Sequence, residues 1–187
     1  MRLYYTEKEQ KELLKSMVIL IDTREKENDH IVQFLKRKKV KCISRALDFG
    51  DYSFYLPANP ELSINRDIWF DKEIVVERKA SLTELAGNLT KERDRFEKEL
   101  IRKKDAIMSL LIENGSWANI NQNIYRSEYK PVSFLATLYA YMARYNISID
   151  FTSKELAGQF IYSKFYYYMR EKVLNMKPDT EEGALHG

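Results

Sequence analysis

The chain has 187 residues, of which 44% are hydrophobic and 32% are charged, and 31 basic residues against 28 acidic ones leave a formal net charge of +3. This length and composition fit one folded domain with a hydrophobic core, while so small a net charge does not by itself indicate a nucleic-acid partner. No apolar run approaches the roughly 20 residues of a membrane-spanning helix, and the glutamates near the N-terminus argue against a signal or transit peptide, so no membrane partner is expected.

The small number of cysteines and histidines excludes several kinds of active site. Cys42 is the single cysteine, so no disulfide can form within the chain, and a reducing cytoplasm is the expected location. His30 and His186 lie far apart in the sequence, which argues against a Cys/His zinc site and against a Ser-His-Asp triad. Hydrolytic chemistry would therefore depend on carboxylates, lysines and a hard cation.

Helices and strands alternate along the first half of the chain. Thr6 and Glu9 have the spacing of a capping box, which predicts a short N-terminal helix that occupies residues 6–15 with its cap. Apolar runs and helical periodicity predict a strand at 17–21, a helix at 29–39, and strands at 40–46, 52–56 and 74–76. The loop at Pro57 and Pro60 joins the last two strands, which are therefore expected to form an antiparallel hairpin.

The second half continues the same alternation. Ser81 with Glu84, and Thr152 with Glu155, repeat the capping-box spacing. The predicted elements are a helix at 81–104, a strand at 107–112, a helix at 132–145, a strand at 147–151 and a helix from 152 to 174. Strands interleaved with helices predict an α/β fold whose central mixed sheet is covered by helices on both faces. The expected boundaries are a single domain at 1–176, its core at 17–174, and a flexible tail at 177–187.

Acidic residues follow three of the predicted strands, in the segment 22–25, at Asp51 and at Glu77. Residues i and i+2 of a strand point to the same face, so Glu77 and Lys79 reach one site, and the hairpin places Asp51 beside them. Two carboxylates next to a lysine suit a hard cation such as Mg²⁺. Such an ion can polarise a phosphoryl oxygen and help to deprotonate a water, while the lysine can either position that water or offset charge that develops on the phosphate.

By itself this spacing is a weak signal. An aspartate followed at a distance by Glu-x-Lys arises by chance in a chain with 32% charged residues. Taken alone, solvated strand ends that carry an ion pair would be the better explanation. The residues that flank the pattern decide between the two interpretations.

Five flanking segments occur in one order and in matching strand and helix contexts. They are IDTRE (21–25), GDY (50–52), VVERK (75–79), SLTELAGNLTKERDRFEKEL (81–100) and LLIENG (110–115). Together they resemble the nuclease domain of the XPF family of structure-selective endonucleases, over about residues 17–151. The chain looks closest to the short, stand-alone versions found in bacteria and their phages.

The resemblance implies a restriction-endonuclease-like fold and Mg²⁺- or Mn²⁺-dependent cleavage of DNA in replication, recombination or repair. Asp51, Glu77 and the backbone carbonyl of Arg78 would bind the metal ion, with Asp22 as a further candidate ligand. Lys79 would assist the attacking water. DNA is thus the expected partner rather than a small-molecule substrate, and a homodimer is expected because relatives often pair through this domain.

Further residues match the family at the edge of the same site. Asp22, Arg24 and Glu25 correspond to its first motif. The basic residues expected to contact DNA from the helix that follows are Lys91, Arg93 and Arg95, of which Arg95 or Arg93 matches a family arginine.

Two departures from the family pattern limit the interpretation. The family often has an aspartate four positions after the lysine, where this chain has Thr83, and only an extra residue at Ala80 would align Glu84 with that acid. Glu84 is therefore a provisional site residue. Larger relatives also carry a helix-hairpin-helix DNA-binding domain, for which this sequence has no matching hairpins, so substrate selection is expected to come from the nuclease domain or a partner.

Two alternatives stay open at this point. The XPF family includes partners with decayed active sites, so a catalytically inactive DNA-binding or scaffolding module is one alternative, and the presence of Asp51, Glu77 and Lys79 argues against it. A restriction or Holliday-junction nuclease of the same wider fold is the other. The IDTRE and GDY segments favour the XPF family over that second alternative.

Overall fold

The computed structural model describes residues 5–175, in which helices and strands alternate. The helices are α1 (Glu7–Ser16), α2 (Asp29–Arg37), α3 (Leu82–Asn88), α4 (Arg93–Arg102), α5 (Trp117–Asn121), α6 (Pro131–Tyr145) and α7 (Ala157–Leu174). The strands are β1 (Val18–Ile21), β2 (Lys41–Ser44), β3 (Tyr52–Leu56), β4 (Ile68–Trp69), β5 (Ile74–Lys79), β6 (Ile107–Glu113) and β7 (Ile147–Thr152). None of the helices in this range is long and apolar enough to span a membrane.

All of these strands join one mixed sheet in the order β2-β1-β3-β5-β6-β7, and β4 pairs with β3. Strand β3 runs antiparallel to both β1 and β5, whereas β1 pairs with β2, and β5, β6 and β7 pair with one another, in parallel. The predicted antiparallel hairpin is confirmed, since Tyr52 pairs with Val76. Because β3 is reversed, its first residue, Tyr52, lies beside Ile21, the last residue of β1, and beside Val76 of β5.

The sheet has a hydrophobic core on each face, as predicted. Helices α1, α2 and α7 pack on one face, where Ile31, Leu35 and Phe165 are fully buried. Helices α3 to α6 cover the other face. The side chains of β5 alternate accordingly: Val76 belongs to the first core and Val75 to the second. The mixed α/β architecture expected from the sequence is therefore confirmed.

The predicted single helix at 81–104 is wrong, because the structure has two helices, α3 and α4, in this stretch. Thr90 ends α3: its hydroxyl donates to the Ala86 carbonyl at 2.7 Å, and its backbone N–H donates to the Gly87 carbonyl at 3.2 Å. A threonine hydroxyl that competes for helical carbonyls disfavours continuation of the helix. The chain then turns before α4 begins at Arg93.

Two further differences concern short elements. Helix α5 has no counterpart among the predicted elements, since five residues are too few for a periodic pattern. The second-half helix that was expected from Thr152 begins with a 3₁₀ turn at Lys154–Leu156, and α7 follows it, so Leu156 is exposed. The expected tail at 177–187 lies outside the described residues.

Candidate active site

Three strand ends bring the predicted acidic residues together. The Asp51 N–H donates to the Val76 carbonyl of β5 at 2.9 Å, and the Asp51 carbonyl accepts from the N–H of Asp22, just after β1, at 2.8 Å. The Asp51 carboxylate itself accepts from the backbone N–H of Arg78 at 2.8 Å. Asp51 is thus held between the ends of β1 and β5, next to Glu77.

Gly50 makes the turn that leads into Asp51. Its φ of 72° lies in the left-handed region, and a Cβ at this position would lie 2.8 Å from the Cβ of Val75. A side chain would therefore meet both backbone strain and a core contact. The Gly50 N–H also donates to a Glu99 carboxylate oxygen of α4 at 3.1 Å.

A cleft of about 320 Å³ opens at this edge of the sheet. Most of the predicted site residues line it, and the structure brings them together there. They are Arg24, Glu25, Asp51, Glu77, Arg78, Lys79, Glu84 and Arg95. Asp22, Lys91 and Arg93 do not line it, although Lys91 and Arg93 line an adjoining hollow that shares Arg95. The catalytic and metal-binding roles of these residues stay predictions.

Glu77 and Lys79 form a buried ion pair inside the cleft. The Lys79 ammonium lies 2.6 Å from Glu77 Oε1, and the two residues are only 7% and 4% exposed. The second oxygen, Glu77 Oε2, is buried and has no hydrogen-bond partner among the described residues. Asn88 Oδ1, in the same cleft, is likewise buried without a partner among the described residues. Leaving a buried polar atom unpaired is costly, and more so for a charged group, so the carboxylate oxygen of Glu77 is the one that most needs a ligand.

The electrostatics of the cleft follow from burial and crowding. Burial raises the pKa of Glu77 to about 7, against the opposing effect of Lys79. Burial, followed by the charge of Glu77, also raises the pKa of Asp51 well above its ordinary value. Burial opposes the charge of Lys79, yet Glu77 and Asp51 outweigh it and raise the pKa of that ammonium. A cation placed between the two carboxylates would relieve their repulsion.

Arg78 points away from the cleft centre, to the opposite face of the sheet. Its guanidinium makes two hydrogen bonds to the Glu113 carboxylate, at 2.7 and 2.9 Å, and one to Glu25 at 2.8 Å. His30 Nε2 lies 2.7 Å from the same Glu113 carboxylate. Burial would lower the pKa of Arg78, but Glu113 outweighs it and raises that pKa.

Asp22 has its hydrogen-bonding capacity taken up by protein donors. One oxygen accepts from the backbone N–H and the Nε of Arg24, at 2.8 and 2.7 Å, and the other accepts from the Leu47 N–H at 2.7 Å. Burial alone would raise the pKa of Asp22, but the bonds from Arg24 and Leu47 lower it. These contacts favour a role for Asp22 in orienting Arg24, which lines the cleft, over one as a metal ligand.

Glu84 reaches the cleft and Thr83 does not. One Glu84 oxygen accepts from the Ala80 N–H at 2.8 Å, and the other lies 4.0 Å from the Lys79 ammonium. The Thr83 hydroxyl instead accepts from the backbone N–H of Arg126. The placement of Glu84 agrees with the alignment that inserts Ala80, although the Glu84 side chain is 45% exposed and approaches Lys79 rather than the two buried carboxylates.

Sequence reasoning missed Glu99, Glu113 and His30. Glu113 could have been suspected, since it follows the apolar run of β6 as Glu77 follows that of β5. Glu99 lies one turn after Arg95 in α4, so helical spacing could have placed it in the same cleft. No local signal connects His30 to Glu113, because the two are separated by 83 residues.

Comparison with known proteins gives a family and a fold. The model of the ERCC4 domain matches residues 21–163. The fold is similar to XPF from Aeropyrum pernix, with a TM-score of 0.59 and 21% identity over 82% of this chain and 65% of that one. A second structure, XPF from Aeropyrum pernix in complex with DNA, gives a TM-score of 0.58 and 20% identity over 82% of this chain and 66% of that one.

The chain therefore spans just under two thirds of the length of those structures. No curated protein matches it. The predicted resemblance to the XPF nuclease domain is confirmed by the family match and by the shared fold. Since the family model covers most of the sequence, the chain belongs to the ERCC4 domain family.

Proposed function

We propose that this chain is a metal-dependent endonuclease that hydrolyses phosphodiester bonds in branched, flapped or otherwise structured DNA. The observation that carries the proposal is the convergence of Asp51 and Glu77 beside Lys79 in an open cleft, with one buried Glu77 oxygen unpaired. The family match and the similar XPF structure in complex with DNA support DNA as the substrate.

The donors in the cleft fit one hard cation. Asp51, Glu77 and the backbone carbonyl of Arg78 would hold it, and no cluster of three or more His, Cys, Asp or Glu side chains able to hold a metal occurs in the described part of the chain. Mg²⁺ is commonly bound by one or two carboxylates and keeps several waters, and Mn²⁺ accepts similar oxygen ligands. When bound, the ion would polarise the phosphoryl oxygen and lower the pKa of a bound water.

The chain's own basic groups account for the rest of the proposed chemistry. The Lys79 ammonium, held by Glu77, offsets charge that develops on the phosphate during attack by water. Arg24, fixed by Asp22, and the exposed Arg95 lie at the cleft edge, where they bind neighbouring phosphates. Lys91 and Arg93 extend this contact along the adjoining hollow.

A cleavage panel tests the proposal. Flap, fork, four-way-junction, single-stranded and duplex DNA are incubated with Mg²⁺, Mn²⁺ or EDTA. Wild-type protein is expected to cut at least one branched substrate, and only with metal. Asp51→Asn and Glu77→Gln are each expected to lose at least about a hundredfold in rate, since each removes a charge that holds the ion. Asp48→Asn, which changes an exposed aspartate outside the cleft, is the matched control.

Undiminished cutting by both cleft variants would contradict the assigned site. Tight DNA binding by wild-type protein without cutting in any metal would instead favour the alternative of an inactive DNA-binding module. In that case Asp51→Asn and Glu77→Gln would leave DNA binding unchanged.

We also propose that the chain forms a homodimer through α6. Val132 and Tyr139 are 80% and 57% exposed and lie seven residues apart, on one face of that helix. Large exposed apolar side chains that share a face often mark a protein interface. Tyr139→Glu is expected to give a monomer in analytical ultracentrifugation. Tyr167→Glu on α7 is the control, since that tyrosine is also 57% exposed. A wild-type monomer at all concentrations would contradict the proposal.

A further inference from the structure

His30 plays no part in the proposed chemistry, yet it belongs to a buried polar network. It lies in the first turn of α2, with its side chain 17% exposed, and its Nε2 is 2.7 Å from Oε1 of Glu113, whose side chain is 1% exposed. An ionised carboxylate only accepts hydrogen bonds, so Nε2 must donate. The network extends from His30 through Glu113 and Arg78 to Glu25.

Glu113 fixes the plane of the Arg78 guanidinium. Nε and one terminal nitrogen donate to its two oxygens, and the remaining terminal nitrogen donates to Glu25. Such a two-point contact constrains orientation as well as distance. Because Glu113 Oε1 also receives the bond from His30, α2 contributes to holding Glu113 in place.

The position of the Arg78 side chain affects the geometry of the cleft through the backbone. Arg78 lies between Glu77 and Lys79 in β5, and its N–H donates to the Asp51 carboxylate at 2.8 Å. Alternate side chains of a strand point to opposite faces. Because Glu113 and Glu25 fix the Arg78 guanidinium on the opposite face of the sheet, they also restrain the Arg78 peptide that binds Asp51. The neighbouring side chains of Glu77 and Lys79, which face the cleft, are restrained with it.

The charges around Arg78 also favour a hydrogen-bond donor at His30. Glu25 and Glu113 place two negative charges against the single positive charge of Arg78, and an uncompensated buried charge is costly. His30 is the remaining side-chain donor on Glu113 among the described residues. Burial alone would raise the pKa of Glu113, but its bonds from Arg78 and His30 lower that pKa.

We infer that His30 and Glu113 are a positioning pair that holds Arg78, and through its peptide Asp51, in the geometry needed for cleavage. The inference rests on the proposed endonuclease function. Neither residue touches the substrate, so they act on the rate of the bound complex rather than on DNA affinity. Loss of an outer residue that orients a ligand typically costs 10- to 100-fold in activity.

Substitutions at His30 test the inference. His30→Leu removes the donor, His30→Ser is too short to reach Glu113, and His30→Gln keeps an N–H near the place of Nε2. Gln33→Leu, on the exposed part of the same helix, is the matched control. The cleavage rate at saturating DNA is expected to fall about tenfold in the leucine and serine variants, with DNA affinity in EDTA changed less than about twofold. The glutamine variant keeps most of the wild-type rate.

A second measurement does not depend on cleavage. Hydrogen exchange of the Arg78 Nε–H, followed by NMR, is expected to be slow in wild-type protein and His30→Gln and faster in His30→Leu and His30→Ser. Unchanged exchange in both disruptive variants would overturn the inference, whether or not the protein cuts DNA. An equal rate loss in the glutamine variant would also overturn it. If wild-type protein cuts no substrate while the exchange rates behave as expected, the network stands and the proposed endonuclease function fails.

Discussion

Within residues 5–175, Glu77 on the cleft face of β5 keeps one buried oxygen without a hydrogen-bond partner, whereas on the opposite face of the sheet both oxygens of Glu113 accept hydrogen bonds. The two carboxylates lie on neighbouring strands and are almost equally buried, at 4% and 1% exposure. Burial favours a higher pKa for both carboxyl groups. The hydrogen bonds to Glu113 outweigh burial and lower its pKa, whereas burial outweighs the ion pair with Lys79 and raises the pKa of Glu77 to about 7.

This difference separates a structural site from one that is prepared for a ligand. A fully paired buried network stabilises one arrangement of the backbone. A buried carboxylate with a vacant oxygen costs stability in the absence of a ligand, and proteins keep such strain mainly at functional sites. If the two faces of β5 differ in this way, removing a carboxylate should change stability in opposite directions on the two faces.

The largest effect is expected at the paired face. Glu113→Leu leaves the buried Arg78 guanidinium with Glu25 alone, and breaking a buried ion pair costs about 3–5 kcal/mol of unfolding free energy. Urea denaturation measures it. Glu171→Leu is the control, because its pair with Arg170 is exposed and contributes about 0–1 kcal/mol. A Glu113→Leu effect as small as that of the control would mean that the network contributes no stability.

The opposite sign is expected at the cleft face. In metal-free protein at pH 8, Glu77→Gln should raise the unfolding free energy by up to about 3 kcal/mol, because ionising this buried carboxyl is unfavourable. Its pKa rises from 4.5 in the unfolded chain to about 7 in the fold. Wild-type stability therefore falls as pH rises through that window, and the advantage of the variant vanishes near pH 4. Urea denaturation from pH 4 to 8 follows both proteins.

Glu97→Gln is the control for sign. The hydrogen bond that the Tyr141 hydroxyl donates to Glu97 lowers the pKa of that carboxyl. Its ionised form therefore stabilises the fold above the ordinary pKa of a glutamate, and that contribution is lost as pH falls. Glu97→Gln should thus destabilise the protein at pH 8. A Glu77→Gln variant that is destabilised in the same way would contradict the account of the cleft.

A smaller effect is expected where the cleft turn packs on β5. Gly50→Ala places a Cβ 2.8 Å from Val75 Cβ at a φ of 72°, and should lower the unfolding free energy by about 1–3 kcal/mol. Gly87→Ala in α3 is the matched control, since nothing lies within 4 Å of its added Cβ. That change should stabilise the protein by about 0.5–1 kcal/mol. Thermal denaturation of both variants measures the contrast, and a neutral Gly50→Ala would show that the turn can relax.

The smallest effect on stability is expected at Glu84. This carboxylate is 45% exposed and lies 4.0 Å from the Lys79 ammonium, so Glu84→Gln should change the unfolding free energy by less than about 1 kcal/mol. The same variant decides whether Glu84 belongs to the site. We expect the cleavage rate to fall only several-fold, because Glu84 acts on Lys79 rather than on the ion. A loss as large as that of Glu77→Gln would instead place Glu84 among the metal ligands.

Much of the fold was predictable, because it depends on local patterns. The capping box at Thr6 and Glu9 forms and begins α1, and the apolar runs that predicted strands coincide with β1, β3 and β6. The break between α3 and α4 was not predictable from periodicity, since the Thr90 hydroxyl ends α3 while apolar residues continue at helical spacing. Short elements such as α5 carry too few residues for a pattern.

The sequence by itself determined the order of the longer strands and most of the helices, the family motifs, and which strand ends carry carboxylates. Only the tertiary structure decided which of these carboxylates are satisfied. Asp22 accepts hydrogen bonds from Arg24 and Leu47, whereas one buried oxygen of Glu77 has no hydrogen-bond partner in the part of the chain that the structure describes. The physical reason is the distance along the chain over which each effect acts. Helix capping and side-chain alternation involve residues a few positions apart, whereas the partner of a buried charge depends on strand register and on helices that come from distant parts of the chain. The contact between His30 and Glu113, 83 residues apart, exists only in the folded protein.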